Sequence, residues 1–232
     1  MNLINPLTGA TIKEISLVDD IIKGGETASI VFGMRKDYYN SLKEKKPGYK
    51  QETDLFHPND IEVLSSDLDE KFPQFSAGDL MLSFRNLHLV AVIDPVSYKI
   101  KWWSNGPWRF QHDPDFTDDG KISVYNNNSD HARSEIIKID PSTMKVSNEL
   151  LDGETRFYSC VLGKHQYLPN GNVLIVVPQE GRVLVLSRNG NKVLEFNNVI
   201  QDLDGINAHV SDGMWLPKDF FDKIPECGEN TL

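Results

Sequence analysis

The chain has 232 residues, of which 39% are hydrophobic and 25% are charged, and its formal net charge at pH 7 is −10. This composition is typical of a globular protein, and so acidic a surface argues against nucleic acid or an anionic membrane as a partner. No apolar run reaches the roughly 18 residues that a membrane-spanning helix needs.

The N-terminal residues predict two short strands joined by a turn. Residues 5–9, NPLTG, form a turn sequence, and the β-rich run 11–16 follows it. This pair matches the third and fourth strands of the repeat that comes later, so we expect the chain to begin in the middle of a repeat. Residues 17–56 interrupt the pattern, and the charged run 32–46 within them favours a partly helical insertion.

From about residue 57 to residue 196 the chain repeats one unit about three times. Each unit contains a turn glycine, Gly78, Gly120 or Gly171, followed by a β-rich run. A second strand, a turn and a third strand come next, which is the pattern of an antiparallel meander. The glycines recur every 40 to 50 residues or so, a spacing typical of one propeller blade.

One more strand precedes each glycine, and a histidine lies at or near its start: His57, His112 and His165. Each unit therefore has four strands, and in a propeller the first strand of each blade lines the central channel. We expect an all-β protein, a β-propeller of about three complete four-stranded blades plus part of another, with a small helical insertion near the N-terminus.

We expect a single propeller domain over residues 1–232, with the inserted segment at 17–56. Propellers close with about four to eight blades, and an open array would leave unpaired edges. The sequence therefore favours a chain that is truncated at its N-terminus or split, or one that closes its ring by self-association. The N-terminus has no basic segment followed by an apolar stretch, so no signal peptide is predicted.

The sequence predicts no cofactor and no metal-ligating residue, and it leaves open whether a metal lies on the axis of the propeller. The cysteines, Cys160 and Cys227, share no metal-ligand spacing and lie outside any C-x-x-C motif. They are expected to be free thiols, although sequence alone leaves a disulfide open. A glycine-rich phosphate loop, a zinc signature and a serine-centred elbow are all absent from the sequence.

The densest group of chemically useful residues lies where the first two units begin. His57-x-x-Asp60 and His112-x-x-Asp115 occupy equivalent positions, and Arg85 ends the second strand of the first unit near the same rim. Histidine, arginine and amide groups together suit a tetrahedral oxyanion, because all of them can donate hydrogen bonds. The alternative is that each histidine forms a structural hydrogen bond between strands, and spacing alone does not decide.

Three motifs resemble the arylsulfate sulfotransferase family, bacterial enzymes that do not use the nucleotide sulfate donor. They are H-x-N at 57–59, S-x-R-N-L at 83–87 and the Q-H pair at 111–112, which is followed by Gly120 and the Asn126-Asn127 strand end. Later runs such as L-P-N-G-N at 168–172 are also similar to that family but common in propellers. The ordered set of the first three motifs is the more specific signal.

The resemblance implies a six-bladed propeller whose axial histidine, His112 here, is sulfated and then passes the sulfuryl group to a phenol. His57, Asn59 and Arg85 match the residues that hold the sulfate. The expected activity is sulfuryl transfer from an aryl sulfate donor to a phenolic acceptor, and the family usually works in the periplasm. The nucleophile must be neutral, with one nitrogen held by Asp115 or by a backbone carbonyl.

Two alternatives remain open at this stage. Trp108, in the loop before His112, is either part of an aromatic wall for an aryl group or a packing residue. The family has a further active-site histidine upstream of these motifs, which this chain lacks, and that favours a non-catalytic binding propeller. The presence together of His57, Asn59, Arg85 and His112 favours the enzyme. For His165, which does not align with His112, a structural role is predicted.

Overall fold

The first strands of the chain form a hairpin, and the remaining strands form three sheets. The hairpin pairs β1 (Asn2–Ile4) with β2 (Thr11–Glu14). The computed structural model describes residues 1–22, 56–148, 150, 154–200 and 205–223. The predicted insertion falls mostly outside these ranges, and its first residues, Leu17–Ile22, form a single π-helical turn. Cys227 also lies outside the described residues, and Cys160 is a free thiol.

Each of the three sheets is a four-stranded antiparallel meander. The first contains β3 (Pro58–Val63), β4 (Leu80–Phe84), β5 (Leu89–Ile93) and β6 (Ile100–Ser104). The second contains β7 (His112–Phe116), β8 (Ile122–Asn126), β9 (Glu135–Ile139) and β10 (Val146–Ser147). The third contains β11 (Lys164–Tyr167), β12 (Val173–Val177), β13 (Arg182–Leu186) and β14 (Lys192–Asn197).

One middle strand of each sheet is buried along its whole length because other parts of the chain cover both faces of the sheet. Every residue of β5, β8 and β12 is buried, which explains why these strands are largely apolar rather than alternating. One apolar cluster joins the first sheet to the second, and another joins the second to the third. Burial of these clusters is the main force holding the sheets together.

The first strands of the sheets are spatial neighbours: β7 contacts β3 on one side and β11 on the other. Consecutive meanders that pack face to face with their first strands together are propeller blades. The predicted fold class is therefore confirmed, with three complete blades in the described residues. That residues 1–232 form one domain stays a prediction. In the described ranges no helix is long and apolar enough to cross a membrane.

Each inner strand has a non-glycine residue in the left-handed region of backbone space at or near its start. These residues are His57 (φ 49°), Asp113 (φ 50°) and Leu162 (φ 59°). Such a conformation is uncommon for residues with a Cβ and persists only where surrounding contacts enforce it. All three lie at the same end of the sheets, which we call the rim.

Candidate active site at the rim of the inner strands

The pairing of β3 with β4 brings His57 and Arg85 together at the rim. Pro58 pairs with Phe84, so the residue before β3 lies beside the residue after β4. The Arg85 backbone N–H donates to the His57 carbonyl at 3.0 Å. His112 opens the neighbouring inner strand at the same end, and both Arg85 and His57 are close enough to oppose a positive charge on it. Three of the predicted site residues therefore converge.

The glutamine of the Q-H pair connects the second blade to the first. Gln111 is fully buried, and its Nε2 donates to Ser83 Oγ at 3.1 Å, to the Phe84 carbonyl at 3.3 Å and to the Leu89 carbonyl at 3.1 Å. Asn59 Nδ2 in turn donates to the Gln111 carbonyl at 2.7 Å. These contacts fix the backbone that carries His112 against the first blade.

The imidazole of His112 is held at both nitrogens. Nδ1 lies 2.7 Å from Asn127 Oδ1 and 3.1 Å from the Phe110 carbonyl, and both atoms are acceptors, so Nδ1 carries the proton. Nε2 accepts the Leu162 backbone N–H at 3.2 Å. Burial lowers the pKa of His112 below its usual value, which favours the neutral ring. From the sequence, either Asp115 or a backbone carbonyl was expected to hold His112. The structure has a backbone carbonyl there, that of Phe110, and Asn127 takes the place expected for Asp115.

Arg85 has an unused donor. Its Nε is buried and has no hydrogen-bond partner within the described part of the chain, and the same holds for Asn59 Oδ1. The guanidinium lies over the ring of Phe110, with 5.2 Å between the guanidinium carbon and the ring centroid. A buried guanidinium N–H without a partner is a donor suited to an anionic oxygen.

Trp108 is a packing residue in this structure. It is 1% exposed, belongs to the cluster between the first two blades, and donates from Nε1 to the His88 carbonyl at 2.7 Å. These contacts favour the packing alternative for Trp108. The aromatic ring that sequence reasoning missed is Phe110, beside the Q-H pair, which is half-buried against Arg85.

His165 is structural, as predicted. Its side chain is fully buried, with Nδ1 3.0 Å from Asp113 Oδ2 and Nε2 2.7 Å from Ser123 Oγ. Burial opposes a positive charge, but Asp113 and Asp115 outweigh it and raise the pKa of His165. Asp113, Asp115 and His165 could each offer one ligand atom within 4.8 Å of the others. Both imidazole nitrogens of His165 already have hydrogen-bond partners, however, so a metal would have to displace one of them.

Carboxylates line the inner strands below the rim. Asp60 and Asp115 are equivalent, since each pairs with a serine of the next strand, Ser83 and Ser123. Burial is the main reason that the pKa of Asp60 and that of Asp115 are each raised to about 7. Burial also raises the pKa of Glu62. We call Asp60, Glu62, Asp113 and Asp115 the carboxylate wall.

A cavity of about 450 Å³ opens beside Asn59 and Asp60. Its other lining residues in the described ranges are apolar: Met1, Leu17, Pro58, Ile61, Leu82 and Phe84. An apolar cavity next to polar site residues is a common arrangement for binding an aromatic ligand.

The fold and the site define a β-propeller that gathers imidazole, guanidinium and amide groups at one end of its inner strands. A sequence model described as "Arylsulfotransferase (ASST)" matches residues 1–199. The chain therefore belongs to the arylsulfotransferase family, as the three motifs at the rim predict. The comparison with curated proteins gave no match.

Among solved structures the similarities are low. Hydrazine synthase from Kuenenia stuttgartiensis has 15% identity and a TM-score of 0.42, covering 65% of this chain and 38% of its own. The WD40 β-propeller domain of Doa1 has 14% identity and a TM-score of 0.41, covering 60% and 40%. The Cps50 (Swd1) propeller domain from Myceliophteria thermophila has 11% identity and a TM-score of 0.41, covering 67% and 46%. The chain thus spans less than half of each of these structures.

Proposed function

We propose that this chain carries the sulfuryl-transfer site of an arylsulfotransferase, with His112 as the nucleophile. An aryl sulfate ester is the donor and a phenol is the acceptor, and the intermediate is a sulfohistidine. Family membership supports transferase activity. The observation that carries the choice of residue is the hydrogen bonding of His112, which leaves Nε2 as the unprotonated nitrogen of a neutral ring.

In the first step the Nε2 lone pair forms a bond to sulfur while the sulfur–oxygen bond to the aryl group breaks and a phenolate leaves. In the second step the acceptor oxygen attacks sulfur, the nitrogen–sulfur bond breaks, and its electron pair returns to Nε2. The acceptor proton passes to solvent or to a base. The Leu162 N–H that now faces Nε2 has to give way to the sulfuryl group.

Arg85 is assigned to the sulfuryl oxygens because its Nε has no partner in the described residues. His57 and Asn59 lie at the same rim and complete the anion site. Donors arranged before reaction stabilise the charge that develops in the transition state. We assign the aryl group to the cavity beside Asn59, which is otherwise apolar.

The test is incubation of the protein with an aryl sulfate without an acceptor. We expect a burst of phenol and a sulfuryl adduct on the peptide that contains His112, because the two-step route accumulates the intermediate. His112→Asn should abolish both, while His131→Asn, in an exposed turn, should change neither. An adduct on another residue, or full turnover by His112→Asn, would contradict the assignment.

The alternative is a non-catalytic propeller that binds an anionic ligand. The observation that favours it is the Leu162 N–H, which already occupies the lone pair of His112 Nε2. Sulfate binding without any burst would support this alternative. In either case Arg85→Ala should weaken sulfate binding far more than Arg188→Ala, an exposed arginine. Equal effects of the two substitutions on sulfate binding would show that Arg85 does not belong to the site.

A further inference from the structure

The side chain of Asn127 joins the proposed nucleophile to a loop of the third blade. Asn127 is fully buried. Its Oδ1 lies 2.7 Å from His112 Nδ1, and its Nδ2 donates to the Ser159 carbonyl at 2.8 Å and to the Leu162 carbonyl at 2.6 Å. Every hydrogen-bonding atom of this amide therefore has a partner, and the same loop supplies the N–H that faces His112 Nε2.

These contacts allow only one orientation of the amide. Two carbonyl oxygens lie on one side of it, so that side must be the NH₂ group, because reversing the amide would place oxygen against oxygen. The oxygen of Asn127 then necessarily faces His112. An oxygen acceptor at Nδ1 requires a proton on that nitrogen, which leaves the lone pair on Nε2.

The surroundings keep Asn127 from rotating. Ser134 Oγ donates to the Asn127 carbonyl at 3.1 Å, and it accepts the Ser159 backbone N–H at 3.0 Å. Ser134 and Ser159 are both buried. The amide and both serines of the network are thus buried, and buried hydrogen bonds of this kind hold a side chain in one geometry.

We propose that Asn127 is a positioning residue that holds His112 in the tautomer with the proton on Nδ1 and the lone pair on Nε2. The consequence for catalysis rests on the proposed function, whereas the tautomer is a property of the free protein. The sequence motifs include this residue only as part of the Asn126-Asn127 strand end that follows the Q-H pair, and they assign no role to it.

A neutral amide suits this position better than a carboxylate for two reasons. First, it accepts the Nδ1 proton without stabilising the imidazolium, so the ring stays neutral and nucleophilic. Second, an amide oxygen cannot remove that proton. After sulfur bonds to Nε2 the ring keeps its Nδ1 proton and its positive charge, and a charged imidazole is the better leaving group when the phenol attacks.

The test is ¹⁵N NMR of the histidine rings without substrate, for the wild-type chain and three variants. Asn127→Leu removes the acceptor and the loop contacts, and Asn127→Asp keeps an acceptor. Ser129→Ala removes a different hydrogen bond to the same loop, the one from Ser129 Oγ to the Cys160 carbonyl, and leaves the contacts of Asn127 intact. We expect the wild type and Ser129→Ala to have the proton on Nδ1, and Asn127→Leu to show a mixture of tautomers. In Asn127→Asp the pKa of His112 should rise.

A proton on Nε2 in the wild type would overturn the proposal. So would an unchanged tautomer in folded Asn127→Leu, which would assign the role to the Phe110 carbonyl. If Asn127→Leu does not fold, Asn127→Asp decides, and an unshifted titration of His112 in that variant would also overturn it.

Transfer activity gives the second readout. If the wild type shows the burst, Asn127→Leu should lower its rate by more than about tenfold, although by less than the roughly 10⁴-fold that a wholly wrong tautomer costs. Ser129→Ala should retain most of the rate, and an equal loss in the two variants would reduce Asn127 to a structural role. If the wild type shows no burst, the proposed function fails while the NMR result still decides the role of Asn127.

Discussion

Gln111 shows how one side chain can fix the geometry of a site between two blades. All three of its Nε2 contacts lie on the first blade, while its neighbour His112 begins the second. The chain separations of these contacts, 22 to 28 residues, correspond to about half of one repeat. The position of His112 therefore depends on a donor that serves three acceptors at once.

Replacing Gln111 with glutamate keeps the shape and removes the donor. We expect Gln111→Glu to lower the free energy of unfolding by about 2–4 kcal/mol at pH 7, because a carboxylate facing buried oxygens is left unsatisfied. Urea denaturation measures this change. The loss should shrink at pH 5, where protonation restores one donor. Gln74→Glu, at an exposed position, is the control, and equal stability of the two variants would contradict the role of Gln111.

At the same scale, sequence patterns located some site residues and not others. His57, Arg85 and His112 could be placed together because they occupy defined positions in a repeat whose strand order is known. Trp108 and Phe110 could not be distinguished, since which ring enters the core depends on the backbone turn between them. The role of Asn127, which stands in the strand end that follows the Q-H pair, could not be predicted because its partners, Ser159 and Leu162, lie in a loop that follows no repeat pattern.

Among the elements, the loop that leads into β11 depends on one glycine. Gly163 has a φ of +122°, and a Cβ there would lie 2.5 Å from the ring of Tyr125. Tyr125 is fully buried between the second and third blades, so it has little room to move. The loop that presents the Leu162 N–H to His112 can approach this closely only because residue 163 lacks a side chain.

Gly163→Ala should therefore lower the free energy of unfolding by about 2 kcal/mol or more. A matched control is Gly78→Ala, where φ is +92° but nothing lies within 4 Å of the added Cβ. That control measures backbone strain without a clash, so it should cost less. Thermal and urea denaturation would test the difference. Equal destabilisation by the two substitutions would show that the ring of Tyr125 moves aside to accommodate the added Cβ.

The strands themselves were the most predictable elements. Turn glycines and Asp-Pro turns mark the ends of the strands, and the Asp94 and Asp140 side chains accept backbone N–H groups in these turns. The register at β7 was not predictable, because it shifts between His112 and Asp115. Such irregularities are determined by packing against the neighbouring blade rather than by the local sequence.

At the scale of the whole molecule, the carboxylate wall places several acidic groups along neighbouring inner strands of a protein whose net charge is already −10. Asp60 and Asp115 each have a pKa raised to about 7, while that of Asp113 is lowered by its contacts with His165, which outweigh burial. Above pH 7 the carboxylates of the wall are therefore ionised, and their burial and mutual repulsion then destabilise the folded state.

Stability should fall as the pH rises from about 5 to 8. Over this window the folded state binds protons at Asp60 and Asp115 that the unfolded chain, with an ordinary carboxyl pKa near 3.8, has already lost. The raised pKa of His165 acts in the same direction. Urea denaturation at several pH values measures the slope. Asp60→Asn and Asp115→Asn should each flatten it, whereas Asp67→Asn, at an exposed position, should not.

The left-handed residues at the rim have a consequence for how this protein would respond to selection in the laboratory. Glycine at the positions of His57 and Leu162 would relieve a conformational strain of about 1 kcal/mol or more at each. Asp113 differs, because its carboxylate is a partner of the buried His165. Libraries screened only for heat resistance should therefore enrich glycine at the positions of His57 and Leu162, and libraries screened for turnover should remove it again. The two screens would therefore select different residues at the same positions.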